Sequence, residues 1–509
     1  MKRFYRYRWI VIIIPYILAF IGYYEVFSNR ANIDPRYILT SCLFESFKIY
    51  GMSVSADLSE MSLELELARW LGALVTTTVI VNVIKHIATG IRLRWRLRKP
   101  DVVVVHGDGI LKETILHSLD KSGLAASNEL CFQADKHVIA FEQDKDALRY
   151  ILEHEKALFK PNKTVVFSST DYEASDYLQS GLTVSNTAVN CARLYWQKHW
   201  LRDDSVRRVG IVGFGHFGQR LLEQALLINV SPWLEPIEYH IYGSDGKDFL
   251  AWHPQLHHCV ALNQNHESMD SLHFHTSLED MGLNHLQSMD RIILIMDSVD
   301  DSLLQLNYLL HAGVNGMIHI RCSQEILQRL QYLPDRETTQ IVAFGDDDDL
   351  FSRDVILHGK LTETAKAEHI FYVSQSKAEN IRDKYTGCTA YAKCKHSGQC
   401  ADCPHIASTW DDLTHFEKAS NIAAADHVPV KRYLLQEARN RGGIAACKAE
   451  LCQAEHIRWC RFYYLHNWQY AAQRDNSHRL HPCLLPFEQL TLQEQEKDWW
   501  GYENLLREK

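Results

Sequence analysis

Apolar positions fall into three regimes along this chain. Near the N-terminus they are continuous. Trp9 to Phe27 reads WIVIIIPYILAFIGYYEVF, nineteen positions with one charge, Glu25, close to the end. At 1.5 Å of helical rise per residue, that run is about as long as a bilayer core is thick. Pro15 is tolerable there, because a spanning helix resatisfies the carbonyl that proline frees. A cleaved signal would need small residues at a cleavage site, and the run ends instead in YYEVF. A second, less apolar run spans about Trp70 to Ile87, with Lys85 able to snorkel from its end.

The charges flanking these runs set an orientation. Lys2, Arg3, Arg6 and Arg8 precede the first run, and Lys85, Arg92, Arg94, Arg96, Arg98 and Lys99 follow the second. Between them Arg30, Arg36 and Lys48 are outnumbered by Asp34, Glu45, Asp57, Glu60, Glu64 and Glu66. The positive-inside rule then places both termini in the cytoplasm and residues 28–67 outside. The expectation is a multi-pass protein of the cell inner membrane, with residues 1–99 as a two-helix transmembrane region. Its outer loop contains Tyr37–Gly51 (YILTSCLFESFKIYG), apolar-periodic and aromatic. Two placements remain open for it: a re-entrant pore helix, or an amphipathic helix lying on the outer surface. A TVGYG-type filter of backbone carbonyls is missing, since the matching place reads Ile49, Tyr50, Gly51, Met52, Ser53.

Beyond Pro100 short apolar runs alternate with helical patterns, which predicts an α/β fold with parallel sheets. Asp101–Gly109 (DVVVVHGDG) is a strand ending in a glycine turn, followed by a helix from Ile110 to about Ser122. His137–Phe141 is a further strand, ending in Glu142 where an acid would meet a ribose hydroxyl. Lys112 replaces the third fingerprint glycine, so residues 100–204 read as a Rossmann unit with a degraded nucleotide site. Lys163–Ser168 continues the sheet.

Residues 205–372 carry the cleaner motif. Arg208–Gly218 (RVGIVGFGHFG) is a strand, then Gly213, Gly215 and Gly218 in G-x-G-x-x-G spacing, then a helix over Gln219–Ile228. The first glycine makes the turn, the second lets backbone approach a pyrophosphate, and the third packs helix on sheet. Asp245 follows the strand Glu238–Gly243, and Asp290–Met296 and Gly316–Arg321 are further strands. The expected ligand is NAD or an adenine nucleotide, held by Gly213, Gly215, Gly218 and Asp245. The alternative is a turn kept only for structure.

Length and charge narrow the class. At 509 residues the chain should hold about three domains, and a net charge of −9 argues against a nucleic-acid binder. Four of the thirteen cysteines, Cys388, Cys394, Cys400 and Cys403, crowd into the stretch GCTAYAKCKHSGQCADCPH, with His396 and His405 between and after them. Thiolates at this density suit a soft tetrahedral ion, so residues 373–408 read as a cysteine-rich insert holding zinc. An iron–sulfur cluster and free or redox-paired thiols are the alternatives. The remaining cysteines read as reduced thiols.

From Trp410 the period becomes helical. Ser420-Asn421, His427, Lys431, Glu455-His456, Trp459, Trp468, Arg479, His481-Pro482 and Pro486 fall in an order that resembles the RyR domain, a module named from ryanodine-receptor repeats. The resemblance covers Trp410–Leu505 within residues 409–509, and departs at Asn467, where a glycine is expected. It implies a mostly helical domain. Asn421, His427, Lys431, Glu455, His456 and Trp459, with Arg458, either face a pocket for an anionic, nucleotide-like ligand or form a buried core and tether.

Two spans, a basic linker and tandem lobes also resemble the TrkA-N or RCK regulators of potassium conductance. Ile341–Tyr372 (IVAFGDDDDLFSRDVILHGKLTETAKAEHIFY) is similar to the segment joining such lobes to the next domain. That resemblance implies ligand-sensing lobes in a homo-oligomeric ring, a tetramer by analogy, acting on a cation or potassium pore. The function expected is a ligand-gated, channel-like membrane protein without enzymatic activity. A non-conducting membrane-anchored sensor is the alternative. A membrane-tethered oxidoreductase is a second, unsupported by any positioned His/Asp or Lys/Tyr pair.

Overall fold

The computed structural model describes residues 8–30, 34–169, 182–202, 205–278, 282–329, 339–357, 360–375, 410 and 413–507. The cysteine cluster Cys388, Cys394, Cys400 and Cys403 lies outside them. The chain divides into two compact units, residues 1–100 and 101–509.

The first unit contains α1 (Arg8–Ser28), α2 (Pro35–Lys48) and α3 (Leu63–Leu97). Ser62 caps α3, its hydroxyl accepting from the Leu65 amide, and no proline interrupts the 35 residues of the helix. Most of the stretch expected to be a basic linker, Arg92–Lys99, is therefore the end of one helix roughly 52 Å long, which runs on to Leu97. By length and composition α3 is long and apolar enough to cross a membrane, while α1 offers the shorter apolar segment Ile12–Ser28.

Between these helices the chain descends and returns. Asp34 caps α2 and Pro35 starts it. The helix then runs antiparallel to α1: the Tyr16 hydroxyl donates to Leu43 O at 3.4 Å, and the Tyr50 hydroxyl donates to Ile12 O. The Thr76 hydroxyl donates to Tyr50 O at 2.7 Å. Gly72 permits this approach, since a Cβ there would lie 2.6 Å from Ile49 Cγ2. Met52 then turns the chain with φ 59°, and the Ser55 amide returns to the Tyr23 hydroxyl at 3.1 Å. Loop residues Ile49 and Tyr50 thus sit level with Ile12 on one side and Thr76 on the other.

The second unit holds two Rossmann-like parallel sheets. The first contains β1 (Val103–Gly107), β2 (Gly123–Ala125), β3 (Lys136–Ala140), β4 (Thr164–Ser169) and β5 (Leu182–Asn186) in the order 2-1-3-4-5. Its helices are α4 (Gly109–Leu119), α5 (Asp144–Glu153) and α6 (Glu155–Leu158). α7 (Thr187–His199) leads to the second sheet, made of β6 (Arg208–Val212), β7 (Glu238–Tyr242), β8 (Ala261–Leu262), β9 (Ser271–His275), β10 (Arg291–Leu294), β11 (Gly316–Arg321) and β12 (Thr339–Phe344). Its order is 12-11-10-6-7-9-8, the 3-2-1-4-5-6 arrangement of dinucleotide-binding folds with one short strand added. The helices here are α8 (His216–Ile228), α9 (Gly246–Trp252), α10 (Leu283–Gln287), α11 (Val299–His311), α12 (Gln324–Arg329), α13 (Asp347–Leu350), α14 (Arg353–Ile356) and α15 (Lys360–Gln375).

The C-terminal part is α16 (His415–Asp426), α17 (Val428–Asn440), α18 (Lys448–Leu465), a small pair β13 (Gln469–Tyr470) and β14 (Leu480–His481), and α19 (Leu492–Arg507). One apolar core runs from Val103 in the first sheet through Trp196, Leu221 and Tyr239 to Leu434, Phe462 and Tyr502. Across the 204/205 boundary, Trp196 of α7 donates to Leu221 O of α8 at 2.9 Å. Asp426, at the end of α16, accepts from Arg193 Nε at 2.7 Å and Nη2 at 2.9 Å, from Gln197 at 3.2 Å and from Gln224 at 2.9 Å. Arg193 is 5 % exposed and Asp426 3 %. Replacing one member strands a buried charge, so Asp426→Ala is expected to destabilise the chain by about 3–5 kcal/mol in denaturant unfolding. The double variant Arg193→Met/Asp426→Leu should lose less; an equal or greater loss would show that packing around the pair, not its charge, decides.

Candidate functional site

The glycine turn lies where the strand order of the second sheet reverses, between β6 and β10. Gly213 follows β6 with φ +95°, and a Cβ there would meet Met296 Sδ at 2.6 Å. Gly215 is the N-cap of α8, and Gly218 packs so closely on Gly213 O that no side chain fits. Gly213 and Gly218 are thus required sterically, whereas a Cβ at Gly215 would meet only the Asp297 carboxylate, the end of a side chain that can turn away. The helix begins at His216, three residues before the sequence expectation, and so includes Gly218. Asp245, half-buried beyond β7, accepts from the Ser244 hydroxyl at 2.7 Å.

Two residues at this crevice carried no sequence signal. The Asp297 carboxylate, just past β10, stands against Gly215. The Arg321 guanidinium, at the end of β11, donates to the carbonyls of Met296 and Asp297 at 3.2 Å each and lies 3.7 Å over the Phe217 ring. The turn and helix terminus fit a phosphate group. It would share its space with the Asp297 carboxylate, and Arg321 is the cation at hand to offset the repulsion.

The first lobe differs. Glu142 does not stand free for a ribose: its carboxylate accepts from the Ile110 amide and, at 3.4 Å, from the Leu111 amide. An internal anion therefore caps α4 at the place a phosphate would take.

In the C-terminal helices, His427, Lys431 and Glu455 come together, joined by Arg458. Glu455 accepts from Arg458 at 2.8 and 3.0 Å and from Lys431 Nζ at 3.1 Å, while His427 Nδ1 lies 3.6 Å away. All four are buried. Burial alone would raise the Glu455 carboxyl, but Arg458 and Lys431 hold it well below the usual range. Burial keeps the His427 imidazole neutral, and its Nε2 bonds Val230 O at 3.1 Å. Lys431 and Arg458 thus face one carboxylate. Among the described residues, Arg458 Nη1 and the Tyr502 hydroxyl are buried there without a hydrogen-bond partner.

His456 and Trp459 belong to another face of α18. His456 Nε2 bonds Leu485 O at 2.8 Å, its Nδ1 lies 3.4 Å from Asp498, and its ring stacks on Trp459 at 5.7 Å. Asn421 hydrogen-bonds within its own helix, to Glu417 O at 2.8 Å. Asn467 takes the glycine's place with φ 61° and donates to Trp252 O at 2.8 Å. Asparagine tolerates this left-handed conformation, so the turn is kept.

Burial would depress the His456 imidazole, but the Asp498 carboxylate and Cys460 raise it to about 10. A folded value above the ordinary one gives stability that is complete below about pH 6.5 and lost as pH climbs through 10. The melting temperature should therefore fall between pH 7 and 10, and fall less in Asp498→Asn. Parallel pH profiles for the two proteins would remove the pair as the cause.

No curated protein matches the chain. Residues 443–508 match the family model of the RyR domain, a range containing Glu455, His456 and Trp459 but starting after α16 and α17. The C-terminal end of this chain is a RyR domain.

Proposed function

We propose that the chain is a membrane-anchored, ligand-gated conducting protein, with α1 and α3 as spans and the two lobes and RyR domain as its cytosolic sensor of a nucleotide-type ligand. The observation that carries this reading is the descent of α2. A helix lying on the outer surface would have no reason to reach Ile12, sixteen residues down α1 from Ser28, or Thr76, near the middle of the apolar stretch Trp70–Ile87. The outward residues support a lipid setting: Ile13, Ile17, Ile21, Leu74, Val79, Val83, Ile84 and Ile87 are all exposed in the single chain. Two spans cannot enclose a pore, so conduction requires a closed homo-oligomeric ring, a tetramer by likeness to the TrkA-N and RCK regulators.

In this reading NAD or an adenine nucleotide binds at Gly213, Gly215 and Gly218, with Asp245 on the ribose. Arg321 neutralises the phosphate beside Asp297. Closure of the second lobe then pulls along the chain on the basic segment Arg92–Lys99. Ile49–Ser53 lacks a TVGYG-type run, and the Thr76 hydroxyl engages the Tyr50 carbonyl, so little discrimination among small cations follows. The same bond favours the second reading, an anchored sensor that reports to a partner without conducting.

Two experiments separate these. Wild-type protein should show a thermal shift with NAD(H), ATP, ADP or AMP, and Gly215→Val should abolish it while the ligand-free melt stays within a few degrees. No shift with any of them makes the turn structural only. Proteoliposomes of a confirmed oligomer should pass Na⁺ and K⁺ at rates within about threefold of each other when that ligand is present. Silence with a ligand shown to bind would leave the anchored sensor.

A further inference from the structure

The outer positions of the second sheet carry an unexpected chemistry. β7 reads Glu238-Tyr-His240-Ile-Tyr242 and β9 reads Ser271-Leu-His273-Phe-His275. Alternation along each strand sends Tyr239, Ile241 and Leu272 into the main core. The other face of β7 carries Glu238, His240 and Tyr242, and that of β9 carries Ser271, His273 and His275. Register aligns them in pairs, His240 with His273 and Tyr242 with His275. On the same face Tyr242 packs in a separate apolar cluster with Leu286 of α10 and Met289. α10 lays His285 over the sheet: its Nε2 bonds the Tyr242 hydroxyl at 2.9 Å, and its ring stands edge-on to His240 at 4.7 Å.

From this geometry we infer that His240, His275 and His285 form a binding site for a divalent transition-metal ion of the zinc class. One ring nitrogen from each lies within 4.8 Å of the other two. His240 Nδ1 and His275 Nε2 are 3.1 Å apart. Two imidazole nitrogens bound to one tetrahedral ion at 2.0–2.1 Å stand about 3.3 Å apart, so only His285 needs to close in. His240 is buried, and its Nε2 has no hydrogen-bond partner among the described residues, which is costly for an imidazole kept only for packing. Glu238 Oε2 lies 3.7 Å from that Nε2, where a carboxylate orients a metal-bound histidine. Three imidazoles leave the fourth position to water.

A second histidine cluster, in the first lobe, shows the contrast. His106 bonds Tyr150 at 2.8 Å and His137 at 3.0 Å, and His137 bonds Ala134 O at 2.9 Å. Every nitrogen of that pair is used by the protein itself. In the second lobe the imidazoles converge and one is left over.

The test titrates the metal alone, Zn²⁺ or Co²⁺, into full-length protein stripped with chelator in detergent. Wild type should hold one more ion per chain than His275→Ala or His285→Ala, both at half-buried positions where folding is expected to survive. The wild-type-minus-variant Co²⁺ spectrum should show weak visible bands without thiolate charge transfer. The same difference in a Cys400→Ser/Cys403→Ser background would confirm that the ion is not a cysteine-bound one. His273→Ala, which removes a ring stacked on His240 at 4.8 Å and a bond to the Ser271 hydroxyl but no nitrogen of the triad, should keep the metal. Equal stoichiometry in wild type and both triad variants, or equal loss in His273→Ala, would overturn the site.

Discussion

The carboxylate of Asp426 is the constraint on which the arrangement of the second unit depends. A buried carboxylate is tolerable only when several donors replace the water it loses. Here the donors come from α7, through Arg193 and Gln197, and from α8, through Gln224. Arg193 also donates to the carbonyl of Leu361 in α15. None of these helices can shift alone without leaving a buried polar group unpaired. A second pair works at another edge: Arg461 of α18 meets Asp270 at 2.8 Å and donates to Leu226 O of α8 at 3.0 Å. The RyR domain is therefore built into the second lobe, and the apolar core passes between them without a break.

Much of this was legible in the sequence, for reasons that differ by element. The Gly213 turn was readable because its three glycines answer to steric demands within a few residues, which fix their spacing. Gly316–Arg321 was readable to the residue as an apolar run between turn signals. β2, β5 and β9 were not. β2 is three residues long, and β9 reads SLHFH, whose histidines mask the apolar alternation. The RyR landmarks were legible as a string, yet their grouping was not. Glu455 and His456 are adjacent in sequence but point to different partners, Lys431 and Arg458 for one and Asp498 for the other. Asp426, the residue that ties the unit together, carried no sequence signal, because its partners lie more than two hundred positions away.

The two lobes show how one local geometry is used in two ways. Each has a strand, a glycine turn and a helix whose first amides need an acceptor. In the first lobe Glu142 supplies that acceptor from within the chain. In the second, the N-cap is Gly215, which has no side chain to offer, and the nearest carboxylate, Asp297, lies against it. The difference rests on one backbone turn. Glu142 sits two residues beyond β3 and reaches back to α4, whereas Asp245 sits three residues beyond β7 and bonds Ser244 instead.

That terminus belongs to a helix bonded to several of its neighbours. Along α8, Leu221 O receives Trp196 of α7, Glu223 faces His253, Gln224 binds Asp426, and Leu226 O receives Arg461. His253 in turn bonds Leu465 O at the end of α18 at 2.8 Å. An anion at the first turn of α8 would pull on a helix whose remaining turns are bonded to α7, to the end of α16 and to α18. Packed interiors respond to such a pull by moving between discrete arrangements and not by bending gradually. An anion bound at that turn would therefore act on the RyR domain through α8, against the buried ion pairs that Asp426 and Asp270 make.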